Sequence, residues 1–132
     1  RKNQRTEALV ELLDVYPTLL ELCGLEASHR LEGRSFVSLL EDPESDFKSA
    51  VLTQTPRPNY PKGKMPEAMG YPIRTDRFRY TEWRDFETGS VLDKELYDHG
   101  SDPLETVNVV AGERYNGFLP ELESQLEELV KR

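Results

Sequence analysis

Residues 69–83 read MGYPIRTDRFRYTEW. Two runs of alternating strand character, YPIRT and RFRYTEW, flank the short turn Thr75-Asp76-Arg77, and this pattern predicts a β-hairpin. On the second arm Phe78 and Tyr80 should face one way, and Arg77, Arg79 and Thr81 the other. Pro72 has no N–H to give a ladder, so an edge or bulged position is expected there. The chain is acidic, formally -8 at pH 7, yet the hairpin gathers Arg74, Arg77 and Arg79, with Arg84 just beyond, among Tyr71, Phe78, Tyr80 and Trp83. The planar fork of arginine fits carboxylate and sulfate-like oxyanions. Arg57, Lys62, Lys64, Arg74, Arg77 and Arg79 therefore form a candidate anion site, with Tyr71 and Trp83 as faces for a sugar ring. The other reading is a hairpin whose arginines stack on rings and pair across strands.

Upstream of the hairpin, TEALVEL (6–12) reads either as a buried strand or as the start of a helix. In DVYPTLLELCG, Asp14 is expected to cap a helix, Pro17 falls in its first turn, and Gly24 ends it in a left-handed conformation. Tyr16, Leu19, Leu20 and Cys23 share one face at helical spacing, and Cys23 reads as a small core residue. GRSFVSLLEDP predicts a short helix with Phe36, Leu39 and Leu40 on one face, stopped at Asp42-Pro43. KSAVLTQTP (48–56) predicts a strand, and RPNYPKGKMPEA a surface loop.

Beyond the hairpin, KELYDHG predicts a further strand with Leu96 inward. SDPLET has the signature of a helix start, with Asp102 as cap, Pro103 at the first position and Glu105 as capping-box partner. Tyr115, Phe118, Leu119, Leu122, Leu126, Leu129 and Val130 form a 3.6-residue stripe, and Pro120 either starts or kinks that last helix. Lys131 and Arg132 sit at the negative end of its dipole. Glu121, Glu123, Glu127 and Glu128 read as its solvated face. The architecture expected is α+β: about four antiparallel strands with a C-terminal helix packed across them.

Composition bounds the chemistry. The 132 residues suffice for one small domain with a core, and 32% of them are charged. An isoelectric point near 4.8 argues against wrapping nucleic acid. No apolar run approaches the length of a membrane span. Cys23, the single cysteine, excludes an internal disulfide framework and a multi-cysteine metal site. Ser35 and Ser38 do not sit in a G-x-S-x-G turn. Asp98, Asp102 and Glu105 cluster around His99, but their spacing fits neither a calcium loop nor a zinc motif. The first residue is Arg1, and no leader pattern follows it, so a fragment or a processed chain is expected. No constellation here activates a nucleophile by itself.

Four segments in order resemble the sulfatases. ELLDVYPTLLELCGL is similar to their D-x-x-P-T-L-L-x-L-x-G segment, and LEGRSFVSLL to L-x-G-x-S-L-x-x-L-L. GYPIRTDRFRYTEW resembles S-I-R-T-x-x-Y-[KR]-Y, and ELYDHGSDPLETVN resembles E-L-Y-D-L-x-x-D-P-x-E-x-x-N. TQTPRPNYP followed by MGYPIRT is most like the iduronate-2-sulfatase branch. The resemblance spans roughly residues 6 to 130 and covers only the C-terminal part of such an enzyme.

It implies that residues 1–25 form the edge of a large alkaline-phosphatase-like α/β domain. Residues 26–132 would then form a C-terminal subdomain with a four-stranded antiparallel sheet and a packed helix. It implies a sulfuric ester hydrolase acting on sulfated glycans, exported to a periplasmic, extracellular or lysosomal compartment. The nucleophile of such enzymes is a formylglycine made from C-x-[PA]-x-R, with calcium holding the sulfate. Cys23 is followed by Gly24, Leu25, Glu26 and Ala27 and does not match, so no catalytic or metal residue carries over to this chain and calcium is expected only in the whole enzyme.

What the resemblance implies for this part is a pocket wall, with Gln54, Arg57, Tyr71 and Arg74 as substrate-facing candidates. The partners expected are the large domain and a sulfated glycan. Apart from the large domain, the piece should expose apolar surface around Leu12, Tyr16 and Leu20, and either self-associate through it or leave its first segment disordered. The competing reading is a non-catalytic module that binds anionic sugars or docks on a larger partner. A C-x-[PA]-x-R motif in the reading frame before Arg1 favours the enzyme, and a natural start near Arg1 favours the module. The purified 132-residue chain is expected to release no sulfate from any sulfate ester in a discontinuous sulfate assay; a measurable rate would contradict the assignment of the nucleophile to another part of the polypeptide.

Overall fold

The computed structural model describes residues 3–59, 63 and 65–131. The chain forms two compact units that meet between Val51 and Leu52. Lys62, Lys64 and Arg132, all assigned roles above, lie outside the described residues.

The first unit contains a 3-10 turn at Leu12–Asp14, helix α1 at Val15–Leu22 and helix α2 at Val37–Glu41. Residues 6–11 are neither strand nor helix. Asp14 precedes α1 as expected, but its carboxylate makes no hydrogen bond to the amides of that helix. It is fully buried and points elsewhere. One oxygen accepts the Glu11 N–H at 2.9 Å and the other the Arg34 N–H at 2.8 Å. Lys48 Nζ reaches both oxygens at 2.7 Å and also pairs with Glu11. Burial alone would raise the pKa of this carboxyl; the Lys48 ammonium and the backbone donors outweigh it and hold it below the ordinary value. Thr18 extends the link: its hydroxyl donates to the Asp14 carbonyl at 2.6 Å and accepts the Phe36 N–H at 3.0 Å. Gly33 makes the approach possible, because a Cβ there would stand 2.0 Å from the Leu13 carbonyl oxygen.

Helix α1 ends at Gly24 with φ +64°. Its N–H bonds the Glu21 carbonyl at 3.1 Å, and the Leu25 N–H bonds that of Leu20 at 2.9 Å, which is a Schellman end. The apolar face of α1 differs from the expectation. Tyr16 and Leu19 are 52% and 54% exposed, and Cys23 is exposed rather than in a core. The buried side chain of α1 is Thr18, because the link to residues 34–36 runs on that side of the helix. Leu12, at 92%, is exposed as anticipated, whereas Leu20 is half-buried.

Strand β1 (Ala50–Leu52) spans the point where the units meet. The second unit holds β2 (Thr55–Arg57), β3 (Ala68–Thr75), β4 (Phe78–Asp85) and β5 (Val91–Asp98). Here β3 pairs with β2 on one side and β4 on the other, and β5 pairs with β4, all antiparallel. The single strand predicted over 48–56 is thus two short ones, and Pro72 explains the break. The Thr53 N–H donates to the Pro72 carbonyl at 3.0 Å. Opposed as they are, in the register that sets Thr55 against Gly70, the return bond would need the N–H that proline lacks. Pro72 therefore sits inside β3, not at an edge or a bulge. Its carbonyl points away from β4, so the β3–β4 ladder loses nothing to it.

One face of the sheet carries Ile73, Tyr80 and Leu96, each completely buried, in two directly opposed pairs. Helix α3 (Leu119–Val130), started by Pro120, lies on this face and buries Leu122, Leu126 and Leu129. Phe78 closes the end of the core, with its ring 4.9 Å from Phe118 and 6.3 Å edge-on from Tyr115. Each fully buried leucine of this kind stabilises the fold by about 1.5–3 kcal/mol. No helix forms at SDPLET. Asp102 does accept the N–H groups of Thr106 and Val107, at 2.6 and 2.9 Å, but Glu105 has φ +56°, which ends helical geometry at once. Glu123 and Glu127, expected on the solvated face of α3, turn to the sheet to meet Lys94 and Arg84.

Lys48→Met should destabilise the first unit by about 3–5 kcal/mol in urea unfolding, because the buried Asp14 carboxylate loses its cation. A loss below about 1 kcal/mol would overturn the role assigned to that pair.

Candidate functional site

The strand register decides what each hairpin arginine can do. Arg77, expected to share a face with Arg79, lies in the turn and swings to the helix side. Its Nε and Nη2 donate to the two oxygens of Asp98 at 2.9 and 2.8 Å, and its guanidinium lies over Phe78 and Phe118. Asp98 is buried and also accepts the Gly100 N–H at 3.1 Å and the Tyr115 hydroxyl at 3.3 Å. The Arg77 bonds, foremost, hold its pKa down at about 2. Arg84 donates to Glu82 at 2.9 Å, pairs with Glu127, and covers the Tyr71 ring at 5.3 Å. Beside it the buried Tyr80 hydroxyl donates to Glu82 at 2.8 Å. Burial, then the carboxylate of Glu82, push that phenol far above its ordinary pKa, so it stays neutral.

Arg79 is on the opposite face. It pairs with Glu105 and lies 5.0 Å over the Tyr97 ring, and its buried Nε has no hydrogen-bond partner among the described residues. His99 Nε2 shares Glu105 at 2.6 Å. Two arginines of the candidate cluster, Arg77 and Arg79, and Arg84 just beyond it are therefore neutralised one by one, on two faces of the sheet. They do not converge on one anion.

Two remain without a carboxylate among the described residues. Arg74 Nη1 donates to the Thr75 carbonyl and, at 3.4 Å, to that of Phe78, and so clasps the hairpin turn. Arg57 is exposed, with its guanidinium carbon 3.7 Å from the centroid of the Trp83 ring. Arg57 stands opposite Ala68 on β2, and Arg74 is six residues further along β3. That separation is about 20 Å at strand rise, so the pair cannot grip a single oxyanion. Arg57 and Arg74 share a face by strand alternation, whereas Tyr71 belongs to the helix face, under Arg84. Gln54 is exposed between β1 and β2.

Trp83 is engaged as well. A Cβ on Gly70, directly opposite, would stand 2.8 Å from the indole ring, so the ring lies on the glycine backbone with Arg57 on top. Its N–H donates to Glu95 at 2.9 Å. Glu95 was not singled out in the sequence. In the regular part of the β4–β5 ladder Glu95 stands opposite Thr81, two residues from Trp83 on the same face, so the strand register is what brings that carboxylate to the indole.

No group of three or more His, Cys, Asp or Glu side chains is gathered for a cation among the described residues. Around His99, Asp98 serves Arg77, Asp102 serves a backbone turn and Glu105 serves Arg79. These residues do not fit a calcium site.

Protonation of Asp98 gives a pH signature. Its folded pKa lies below the ordinary 3.8, so the stability it contributes is complete above that value and is lost as pH falls towards about 2. Asp98→Asn should flatten the fall of Tm across that window in calorimetry; an unchanged acid profile would remove the Arg77–Asp98 pair from the account.

Residues 1–132 match the family described as N-sulphoglucosamine sulphohydrolase, C-terminal. Arylsulfatase K of Gallus gallus is 34% identical over 113 residues, covering 83% of this chain and 20% of the relative. Iduronate 2-sulfatase of Mus musculus is 31% identical over 155 residues, covering 91% of this chain and 28% of the relative. Among solved structures, the phosphonate monoester hydrolase of Agrobacterium radiobacter superposes with a TM-score of 0.79 at 25% identity, over 97% of this chain and 26% of that one. A protein solved in complex with its substrate, D-glucosamine-2-N,6-O-disulfate, superposes with a TM-score of 0.69 at 26% identity, over 89% and 23%. The chain thus spans between 20% and 28% of the length of these proteins. A match over its whole length, with the hairpin-and-helix fold that the solved relatives share, makes the chain a member of the C-terminal sulfatase family.

Proposed function

We propose that this chain is the C-terminal part of a sulfuric ester hydrolase that acts on sulfated glycans, and that it forms one wall of the substrate pocket. The nucleophile and the calcium ion of the whole enzyme belong to the large domain. Within the family, the Q-T-P-R-P and M-G-Y-P-I-R-T segments favour an iduronate-2-sulfatase-like substrate, a sulfated sugar that carries a uronic acid. Export to a periplasmic, extracellular or lysosomal compartment follows from the same reading.

The observation that carries the proposal is charge allocation. In a chain with 25 acidic and 17 basic Lys and Arg residues, Arg57 and Arg74 stay clear of every described carboxylate, while Arg77, Arg79 and Arg84 are all paired. A guanidinium left unpaired in acidic surroundings is available to an anionic ligand. Because the two stand far apart, each would take a separate charged group of an extended glycan. Arg57 is free to do so with its whole fork, and Arg74 only with the edge that the turn leaves open.

In the whole enzyme, Arg57→Ala should lower kcat/KM on its sulfated sugar by about 10- to 150-fold, the worth of one charge-assisted hydrogen bond. Arg74→Ala should give a smaller loss together with a lower Tm, since the same side chain holds the turn. If both variants fold and keep full activity on every sulfated sugar tested, the pocket-wall reading fails.

A further inference from the structure

Arg57 carries five N–H donors, and no described side chain or carbonyl accepts from any of them. What holds it is a ring. At 3.7 Å from the Trp83 centroid, the guanidinium carbon is at van der Waals contact with the indole face. A planar guanidinium reaches that distance only by lying nearly flat on the ring, which leaves its N–H edge directed outward. The ring is fixed in turn from two sides. Beneath it Gly70 offers bare backbone, and a Cβ there would sit 2.8 to 3.0 Å from three ring carbons. At its edge the indole N–H is tied to Glu95 Oε1 at 2.9 Å. The second oxygen of Glu95 accepts the Tyr97 hydroxyl at 3.4 Å, so the carboxylate is itself restrained.

We infer that Trp83 is a positioning residue: the stack Gly70–Trp83–Arg57, anchored by Glu95, presents the Arg57 guanidinium edge-out to a sulfate or carboxylate of the substrate. The inference rests on the pocket-wall reading and adds a mechanism to it. An arginine on a three-residue edge strand would otherwise lose much of its side-chain entropy when an anion binds. Held flat on an indole it is ordered beforehand, and the indole does not compete for its N–H groups as a carboxylate would. Glu95 supports this division: its negative charge is directed to the Trp83 N–H and the Tyr97 hydroxyl, not to Arg57. Trp83 itself is therefore not a platform for a sugar ring, because both of its faces are occupied.

A double-mutant cycle in the whole enzyme tests this, with kcat and KM measured on the natural sulfated sugar for Arg57→Ala, Trp83→Leu and the double variant. If Trp83 acts through Arg57, Trp83→Leu raises KM by about 2- to 30-fold with little change in kcat, and has no further effect once Arg57 is alanine. An equal loss in both backgrounds overturns the inference, because Trp83 would then be acting independently of Arg57, and the pocket wall would stand. If Arg57→Ala itself leaves KM unchanged, Arg57 does not meet the substrate and the inference is overturned, while the pocket-wall reading is then decided by Arg74→Ala. Should Trp83→Leu fail to fold, Trp83→Phe replaces it in the same cycle. It keeps a ring for Arg57 but loses the N–H to Glu95, so a smaller KM rise that vanishes in the Arg57→Ala background supports the stack, and a rise that persists there overturns it.

Discussion

Ile73 faces Tyr80 across the hairpin, and Gly70 faces Trp83. A slip of one residue in that register would exchange the two faces of β4. Tyr80 and Phe78 would leave the core, and Trp83 would turn towards α3. The register is held by apolar burial, since Ile73, Tyr80 and Leu96 are wholly shielded from water. It also fixes every charge on the hairpin. Glu82 and Arg84 follow Tyr80 to the helix face, where Arg84 pairs with Glu82 and with Glu127, while Arg79 and Trp83 go to the other, where they meet Glu105 and Glu95.

The helix face resolves a conflict between burial and charge. Glu82 is nearly inaccessible, and so is the Tyr80 hydroxyl beside it. A lone carboxylate there would be costly. Arg84 and Tyr80 donate to it, and Glu127 and Glu123 reach down from α3 to the cations that remain, Arg84 and Lys94. The acidic character of α3 is thus partly internal. Along the helix, contacts with leucines alternate with contacts to sheet cations, and the two inward glutamates, Glu123 and Glu127, stand four residues apart on one face.

The first unit follows the same rule with fewer parts. Asp14 and Lys48 are both nearly inaccessible, and the carboxylate gathers two backbone amides and an ammonium. This joins the segment at 14–18 to the segment at 33–36, and it gives a physical reason for the aspartate, threonine and glycine in the two motifs that the sequence presents there. The price is an α1 whose larger apolar side chains, Tyr16, Leu19 and Leu22, stay on the surface.

Much of this architecture is local and was legible beforehand. Alternation at 71–83 carries the hairpin, the leucine period carries α3, Pro120 starts that helix, and Gly24 ends α1. What misled was local chemistry with two outcomes. SDPLET has the residues of a helix start, yet Glu105 adopts a positive φ and serves Arg79. Asp14 has the position of a cap, yet its carboxylate is drawn to Lys48, thirty-four residues away. Cys23 lies on an apolar stripe, yet the helix turns Thr18 inward. The residues of the candidate site were named from composition, but composition does not assign partners. Sequence alone determined the hairpin at 71–83 and the apolar stripe of α3, because those follow from periods of two and 3.6 residues along one stretch of chain. Which arginine meets a carboxylate and which lies open on an indole was decided only by the folded sheet, because such pairing depends on distances between strands that no spacing along the chain encodes.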